Sequence, residues 1–393
     1  MSGPDDAVLL ARAAWSRLVE PGDEVAGLLV GALGPQEALS WLRSTAHPPA
    51  PSAVLPVLGA LPHGVGDDPS ERAGARRLAA AADRWRVRLD TVDPRRDLRA
   101  LGCLGGRLLV PEAPGWPAGL DDLGPAAPMC LWVRGAADVA AALAGSVAVV
   151  GARACSAYGE YVTAELAVGL AEAGRCVVSG GAYGIDAVAH RAAVVAGGTT
   201  VAFLAGGVDR LYPAGNADLL RAITESGALV SEVPPGSAPA KSRFLQRNRL
   251  IAAATRATVV VEAAWRSGAL STARHAARLL RPVGAVPGPV TAVTSAGCHR
   301  LMRDGCAVCV TGAAEVLELV EPVPAPEPRM PVRPEDDLDE VQRRALDALP
   351  VRRAAPEEAL ARTAGLTPAE LRGALGRLEL AGLARRDGGG WRR

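Results

Sequence analysis

Short apolar segments alternate with longer amphipathic ones between residues 147 and 310. The apolar segments are rich in β-branched residues, as expected of strands buried on both faces. They lie at 147–150, 176–179, 200–204, 229–232, 258–262 and 283–286. Alanine-rich segments with helical periodicity separate them, at 158–173, 185–196, 216–226, 244–254 and 271–280. This alternation predicts an α/β fold with a doubly wound parallel sheet.

The chain before this region has only helical patterns. Three short helical segments, at 7–19, 24–32 and 35–43, are separated by Pro-Gly and Gly-Pro pairs. They predict a small helical domain over residues 1–70. A further helix at 71–86 leads into the central domain, which we expect to extend to residue 320.

After the central domain, the pattern predicts a linker and a third domain. Residues 321–338 are rich in proline and acidic residues, as extended linkers are. Thr367 and Glu370 form a capping box with proline at the first helical position. The expected elements of residues 339–393 are helices at 339–349, 356–363 and 368–381 and a β-hairpin that turns near 387–390. Three helices and a hairpin predict a winged-helix-like domain, which could serve protein interaction or dimerisation as well as DNA binding.

Basic residues are concentrated in one segment of the chain. The net charge is only +1, yet residues 240–303 hold eleven Lys and Arg against the single acid Glu262. Such clustering is typical of a protein that binds a polyanion. Solvated arginines on helix faces would give the same pattern.

Loops of glycine and other small residues follow the predicted strands. Because the carboxyl ends of parallel strands meet at one edge of a sheet, these loops should lie together, and their free N–H groups favour phosphate. After the first strand, Gly151, Arg153 and Ser156 could hold phosphate through N–H groups, a guanidinium and a hydroxyl. The remaining candidates for close backbone approach or an anion nest are Gly180, Gly181, Gly184, Ser267, Gly268 and Thr272.

Three of the four tyrosines fall in or beside these loops: Tyr158, Tyr183 and Tyr212. Aromatic rings beside a phosphate site are what single-stranded nucleic acid requires, because bases stack on them regardless of sequence. Alternatively, a tyrosine in such a position has only a structural role and packs over its own loop.

The segment that begins the helix at 244–254 is rich in arginine. Arg243, Arg247 and Arg249 surround Asn248, and at this spacing the three arginines cannot share one helix face. We expect one or two of them to face a ligand and another to pair with a carboxylate such as Glu262.

Two polar residues of the second loop and its helix have more ordinary interpretations. Asp186 is expected to cap the helix that it begins. His190 lies on the same helix, and buried packing is favoured over catalysis.

The sequence offers little for catalysis, metal binding or membrane insertion. It has no G-x-G-x-x-G after the first strand, no P-loop, no paired carboxylates and no nucleophile elbow, so we expect a binding protein without a cofactor. The group Cys298, His299, Cys306 and Cys309 matches no common zinc spacing. Seven scattered cysteines, with no signal peptide and no long apolar segment, favour a cytoplasmic protein.

Eight motifs in order give the chain its resemblance to the DNA-processing protein A family (DprA, also called Smf). They are VVGAR and S-x-YG at 149–159, SGGAYGIDAVAH at 179–190, AGGVDRLYP at 205–213 followed by Asn216, SEVPPG at 231–236, F-x2-RNRLIA at 244–252, VVVEAAWRSGALSTA at 259–273, AVPG at 285–288 and GCHRLMRDG at 297–305. The resemblance implies an extended Rossmann-like core, a small helical (SAM- or HhH-like) domain before it and a winged-helix-like domain after it.

The resemblance also implies a function. Members of the family bind single-stranded DNA without sequence preference, form homodimers, and load RecA recombinase onto incoming DNA in natural transformation. Arg153 and the glycine loops would then hold the DNA backbone. This chain has Ala214 where some members have a basic residue, a contact that Arg210 or Arg243 could replace, and Tyr183 where many have arginine.

An enzymatic alternative comes from related Rossmann-like proteins of the lysine-decarboxylase-like (LOG) group. These hydrolyse nucleoside monophosphates with a P-G-G-x-G-T-x-x-E motif. Here Pro287-Gly288 is followed by Pro-Val-Thr, without the Gly-Thr pair or the glutamate. The binding function is therefore favoured over nucleotide hydrolysis, while a bound nucleotide without turnover remains open.

Overall fold

A nine-stranded β-sheet organises the larger part of the molecule in the computed structural model, which describes residues 5–44, 71–320 and 338–393 together with Ser52 and Leu58. In chain order its strands are β1 (Arg107–Leu109), β2 (Leu131–Arg134), β3 (Val147–Val150), β4 (Val177–Ser179), β5 (Thr200–Leu204), β6 (Ala228–Ser231), β7 (Ala257–Val260), β8 (Val283–Ala285) and β9 (Val308–Cys309). Their order across the sheet is β1-β2-β6-β5-β4-β3-β7-β8-β9.

The α-helices connect these strands, and further helices precede and follow the sheet in the chain. Those of the described residues are α1 (Asp6–Leu18), α2 (Glu24–Leu33), α3 (Pro35–Ser44), α4 (Glu71–Leu89), α5 (Pro94–Cys103), α6 (Val139–Ala144), α7 (Ala157–Glu172), α8 (Ile185–Val195), α9 (Ala217–Ser226), α10 (Lys241–Ala254), α11 (Ala269–Arg278), α12 (Ala296–Arg303), α13 (Ala313–Val320), α14 (Glu340–Ala348), α15 (Glu357–Ala364) and α16 (Pro368–Leu380). Short 3-10 helices lie at Ala118–Ala126, Ala214–Asn216 and Val293–Ser295.

The predicted doubly wound parallel sheet is confirmed. All six predicted strands are present, from β3 to β8, and they pair in parallel. The antiparallel strands β1 and β2, which extend the sheet beside β6, were not predicted. They lie before residues 147–310, outside the alternation of strands and helices from which the other strands were predicted.

Alternation along the strands builds a core on each face of the sheet. In β3, Val147 and Val149 pack with Leu166 of α7 on one face. Ala148 and Val150 pack on the other face, in the cluster that includes residues of α10 and α11. The sheet is therefore buried on both sides, as expected for parallel strands.

The amino-terminal helices share a core of their own. Trp15 of α1 and Trp85 of α4 meet edge to face with their ring centroids 5.4 Å apart. Both indole N–H groups are bonded, to the carbonyl of Pro35 (3.0 Å) and to the carboxylate of Asp23 (2.9 Å). Helix α4 thus packs with the helices before residue 70, and the predicted boundary at that residue stays a prediction.

The carboxy-terminal unit is a winged helix, as the sequence predicts. Helices α14 to α16 enclose Leu346, Leu371 and Leu375, and a hairpin of β10 (Arg385–Asp387) and β11 (Gly390–Arg392) follows them. The capping box of Thr367 and Glu370 begins α16 as predicted. This unit, Val323–Arg393, is a compact unit separate from Met1–Pro322. The predicted linker at 321–338 lies, except for its last residue, outside the described residues.

Candidate nucleic-acid interface

The strand order reverses at β3, which has β4 on one side and β7 on the other. Chains that leave adjacent strands in opposite directions open a crevice at the carboxyl edge of the sheet, where ligands of such folds bind. A pocket of about 440 Å³ lies there. The predicted site residues that it brings together are Gly151, Arg153, Arg247, Asn248, Ser267, Gly268 and Thr272.

Arg153 is exposed in the loop after β3 and stacks on an aromatic ring. Its guanidinium carbon lies 5.2 Å from the ring centroid of Phe244, on α10. The ring of Tyr212 lies on the same phenylalanine, with centroids 5.9 Å apart and planes tilted by 52°. A cation and two rings therefore form one continuous surface at the rim of the pocket, which we call the Arg153 stack.

Side chains of two neighbouring helical segments hydrogen-bond to the glycine loop after β4. Gly181 and Gly184 have φ values of +65° and +75°, which favour glycine. The side-chain amide of Asn216 donates to the carbonyls of Gly181 and Ala182, each at 3.0 Å. Asp186 accepts from the N–H groups of Gly180 (3.1 Å) and Ala182 (3.4 Å), so the prediction that it caps its helix was wrong. The carboxylate accepts hydrogen bonds from the loop that precedes the helix, and not from the first turn of the helix.

Arg247 is the buried cation of the pocket. It is 6% exposed, and among the described residues its Nε and Nη1 have no hydrogen-bond partner. A Cβ on Gly180 would collide with its guanidinium, so the glycine makes room for the arginine. Burial lowers the pKa of Arg247, opposed by the charge of Asp186 nearby, and burial raises the pKa of Asp186. These buried N–H groups can therefore still donate hydrogen bonds.

The other two arginines of this helix pair with carboxylates. Arg249 donates to both oxygens of Glu232 (2.6 and 2.7 Å), and burial raises the pKa of this glutamate against the effect of the arginine. Arg243 binds Glu20 (2.9 and 3.0 Å). The expectation that an arginine of this segment pairs with a carboxylate is confirmed, but the acids are Glu232 and Glu20, so Glu262 as the example was wrong. Arg249 consequently does not line the strand-end pocket.

Glu262 instead anchors the loop after β3. It is 2% exposed and accepts from the backbone N–H (2.9 Å) and hydroxyl (2.6 Å) of Ser156 and from the hydroxyl of Thr294 (3.1 Å). The Ser156 oxygen also accepts from the N–H of Gly159 and so caps α7 (3.1 Å). Ser156, predicted to bind phosphate through its hydroxyl, therefore uses it within the protein.

The turn after β7 completes the far wall of the pocket. The side-chain amide of Asn248 donates to the carbonyl of Gly268 (3.3 Å), and the Ser267 hydroxyl accepts from the N–H of Ala269 (3.3 Å). Thr272 is buried beneath this turn. These residues shape the wall and fix α11 against α10.

The three predicted tyrosines are partly exposed along the same edge, at 42% for Tyr158, 48% for Tyr183 and 52% for Tyr212. The Tyr158 hydroxyl donates to the carbonyl of Pro287 (2.7 Å), and the Tyr183 hydroxyl accepts from the N–H of Gly215 (3.3 Å). Each of these hydrogen bonds fixes the position of a ring that is partly exposed to solvent. Arg210 is exposed in the loop after β5.

Sequence reasoning missed Phe244 and Trp265. Phe244 is one of two phenylalanines in the chain and begins the F-x2-RNR motif, a signal that could have identified it. Trp265 is 59% exposed between two residues that line the pocket, and the guanidinium carbon of Arg300 lies 5.7 Å from its ring centroid. Trp265 and Arg300 thus add a second exposed aromatic ring with an adjacent cation to this edge of the sheet.

His190 and the cysteines lie apart from this chemistry. His190 is fully buried and its Nδ1 lies 2.7 Å from the Thr200 hydroxyl, so the prediction of structural packing is confirmed. Burial lowers the pKa of His190 to about 3. All seven cysteines are free thiols. Over residues 5–44, 71–320 and 338–393, no group of three or more His, Cys, Asp or Glu could hold a metal ion.

Comparison with known proteins places the chain in a family. The family described as DNA recombination-mediator protein A matches residues 107–321, and the DprA winged helix domain matches 315–390. A DprA relative from Mycobacterium tuberculosis is 44% identical over 98% of this chain and 95% of its own length. Protein Smf of Escherichia coli is 43% identical over 44% of this chain and 46% of its own length.

A solved structure agrees with these matches. DNA processing protein A from Streptococcus pneumoniae superposes with a TM-score of 0.55 and 31% identity, over 71% of this chain and 94% of that one. Within the described residues, no helix is long and apolar enough to span a membrane. The matched core, the winged helix and the near-complete mycobacterial alignment lead to one conclusion: this chain belongs to the DNA recombination-mediator protein A (DprA/Smf) family of DNA-processing proteins.

Proposed function

We propose that the carboxyl edge of the sheet binds single-stranded DNA without sequence preference. The Arg153 stack is the observation that carries this proposal, because it presents a cation and two rings beside a pocket with unpartnered guanidinium N–H groups. Phosphates are held by such cations, and unpaired bases stack on such rings whatever their identity.

Single strands suit this edge better than duplexes. In a duplex the base faces are already stacked, so the half-exposed rings of Tyr158, Tyr183 and Tyr212 would have nothing to contact but the backbone. Arg153 and the unpartnered N–H groups of Arg247 line the pocket at this edge, where a flexible strand can bring its phosphates to them. Stacking and phosphate contact together therefore favour the single strand.

Family membership suggests a physiological role for this binding. We propose that this protein protects incoming DNA and loads RecA recombinase onto it in natural transformation, acting as a cytoplasmic homodimer without enzymatic activity. Family membership supports this role. Recombinase loading requires a binder that holds the strand through its backbone and leaves its sequence unread, which matches the chemistry of this edge.

Fluorescence anisotropy tests DNA binding directly. Labelled oligothymidine of about 30 nucleotides, long enough for several contacts, is compared with a matching duplex over a salt series. We expect tight, salt-sensitive binding of the single strand and weak binding of the duplex. Equal affinity for both would refute the proposed preference, and binding only of mononucleotides would favour the nucleotide-binding alternative.

RecA loading is tested separately. Single-stranded DNA coated with single-strand-binding protein resists RecA, so the rate of RecA-dependent ATP hydrolysis on it reports loading. We expect the protein to raise this rate and Arg153→Ala to abolish the increase. No increase with a protein that binds the strand normally would reject the loading role and leave the binding role intact.

A further inference from the structure

A second pocket, of about 690 Å³, lies between the amino-terminal helices and the other face of α10. Its volume is within the range of about 300–1,000 Å³ that is typical of small-molecule sites. Four arginines line it: Arg77 and Arg84 from α4, Arg249 from α10 and Arg278 from α11. Cations thus reach this space from three separate helices.

Two carboxylates also line the pocket, but both oxygens of one of them already accept hydrogen bonds from the protein. The two oxygens of Asp23 accept from the backbone N–H of Ala26 (3.1 Å) and from the indole N–H of Trp85 (2.9 Å). Glu24 is the other carboxylate. The lining therefore has more positive than negative charge, as an anion site requires.

Arg249 supplies the strongest indication of a ligand. It is only 3% exposed, and although Nη2 binds Glu232, its Nε and Nη1 have no hydrogen-bond partner among the described residues. Buried N–H groups of a charged side chain that remain unsatisfied are costly. A bound anion in the pocket would satisfy them.

The neighbours of Arg249 confirm that charge converges here. Burial lowers the pKa of His275, and the charges of Arg278 and Arg249 lower it further. Arg278 is exposed on α11 and has no hydrogen-bond or ion-pair partner within the described part of the chain. An exposed arginine and a buried one therefore line the same space.

We propose that this pocket binds a phosphorylated small molecule of nucleotide size, at a site separate from the DNA edge. Arg247 and Arg249 are two residues apart on α10 and so point about 200° apart around the helix. One lines the strand-end pocket and the other lines this one. Single-stranded DNA bound along the carboxyl edge of the sheet would stay on the Arg247 side of α10. A small molecule would enter the pocket at Arg249 from the other side of this helix.

Isothermal titration calorimetry of the full chain tests this site with ADP and with inorganic pyrophosphate as probes. The test variant is Arg84→Ala with Arg278→Ala, since both side chains are exposed and their loss should not affect folding. Arg274→Ala is the matched control, an exposed arginine of the same helix α11 that does not line the pocket. Arg153→Ala reports on the strand-end pocket.

We expect ADP and pyrophosphate to bind, with affinity at least about tenfold weaker in the double variant, because two charge-assisted contacts are removed. The Arg274→Ala and Arg153→Ala variants should bind ADP normally, and the double variant should bind oligothymidine normally. Failure of both probes to bind the unaltered chain at millimolar concentration would overturn the proposal.

Two other outcomes would also overturn it. If ADP binding is lost in Arg153→Ala and kept in the double variant, the nucleotide occupies the strand-end pocket. If the double variant weakens oligothymidine binding while ADP does not bind, these arginines serve the DNA path. Since oligothymidine affinity is measured on every variant, a failure of this site is distinguished from a failure of DNA binding.

Discussion

Replacement of Arg153 by alanine removes the exposed cation of the Arg153 stack and leaves the fold intact. The side chain is at the surface, and its contact with Phe244 at 5.2 Å is an exposed cation–π pair of about 0.5–1 kcal/mol. On DNA it would make a charge-assisted bond to phosphate, in general about 1.5–3 kcal/mol. Because this site is open to solvent, we expect the lower end, roughly tenfold weaker binding of single strands.

The salt dependence distinguishes a phosphate contact from other roles. Loss of one contact to a single strand should reduce the slope of log K against log[salt] by about 0.7. Arg153→Lys keeps the charge and should restore the slope, with only part of the affinity, since lysine lacks the planar donor pair. Anisotropy titrations of oligothymidine and of a mixed sequence at several salt concentrations measure both quantities.

Arg256→Ala is the control for this experiment. Arg256 is exposed and directly precedes β7, at the amino edge of the sheet, opposite the pocket. It should leave both affinity and slope unchanged. A change of sequence preference in Arg153→Ala, or an unchanged salt slope with weaker binding, would refute the assignment of a phosphate contact.

Three further replacements test the site and its supports. Phe244→Ala should weaken single-strand binding by about 1–3 kcal/mol with an unaltered salt slope, since the ring next to Tyr212 supplies stacking and not charge; a changed slope in anisotropy would contradict this. Glu232→Ala leaves the buried charge of Arg249 unpaired and should lower the free energy of unfolding in urea by about 3–5 kcal/mol; a neutral effect would contradict a buried ion pair. His190 has a pKa of about 3 when folded and 6.5 in its ordinary state, so the unfolded chain binds more protons and stability falls as pH drops between these values. Below pH 6.5 this loss approaches about 1.4 kcal/mol per pH unit, and urea titrations of His190→Gln should show a pH slope smaller by that amount.

The strands were predictable because each is short, apolar and buried on both faces. Residues 147–150 and 200–204 match β3 and β5 at both ends. Helix α10 begins at Lys241, before the predicted start at 244, because the polar first turn carries no apolar periodicity. Strand β1 was not predicted because it precedes the regular alternation of strands and helices that begins at residue 147.

The sequence predicted where the site residues lie but not which residues they form hydrogen bonds or ion pairs with. Gly151, Arg153 and Gly268 lie where the strand ends predicted them, around one pocket at the edge of the sheet. The partner of Arg249 could not be inferred, since Glu232 and Glu262 are each the last residue of a predicted strand. Which carboxylate pairs with the arginine depends on the order of β6 and β7 in the sheet, and the two lie on opposite sides of β3. That order is a property of topology that local sequence does not encode.

Helix α10 carries buried positive charge toward two different parts of the protein. Arg247 lies near Asp186 and Arg249 binds Glu232, and both acids precede the helix in the chain. During synthesis from the amino terminus, the counter-charges therefore leave the ribosome before the arginines do. A circular permutant that begins at α10 would reverse this order and expose first an arginine-rich segment whose single acid is Glu262. Such a permutant would have the same contacts when folded but a nascent chain more prone to capture by nucleic acid.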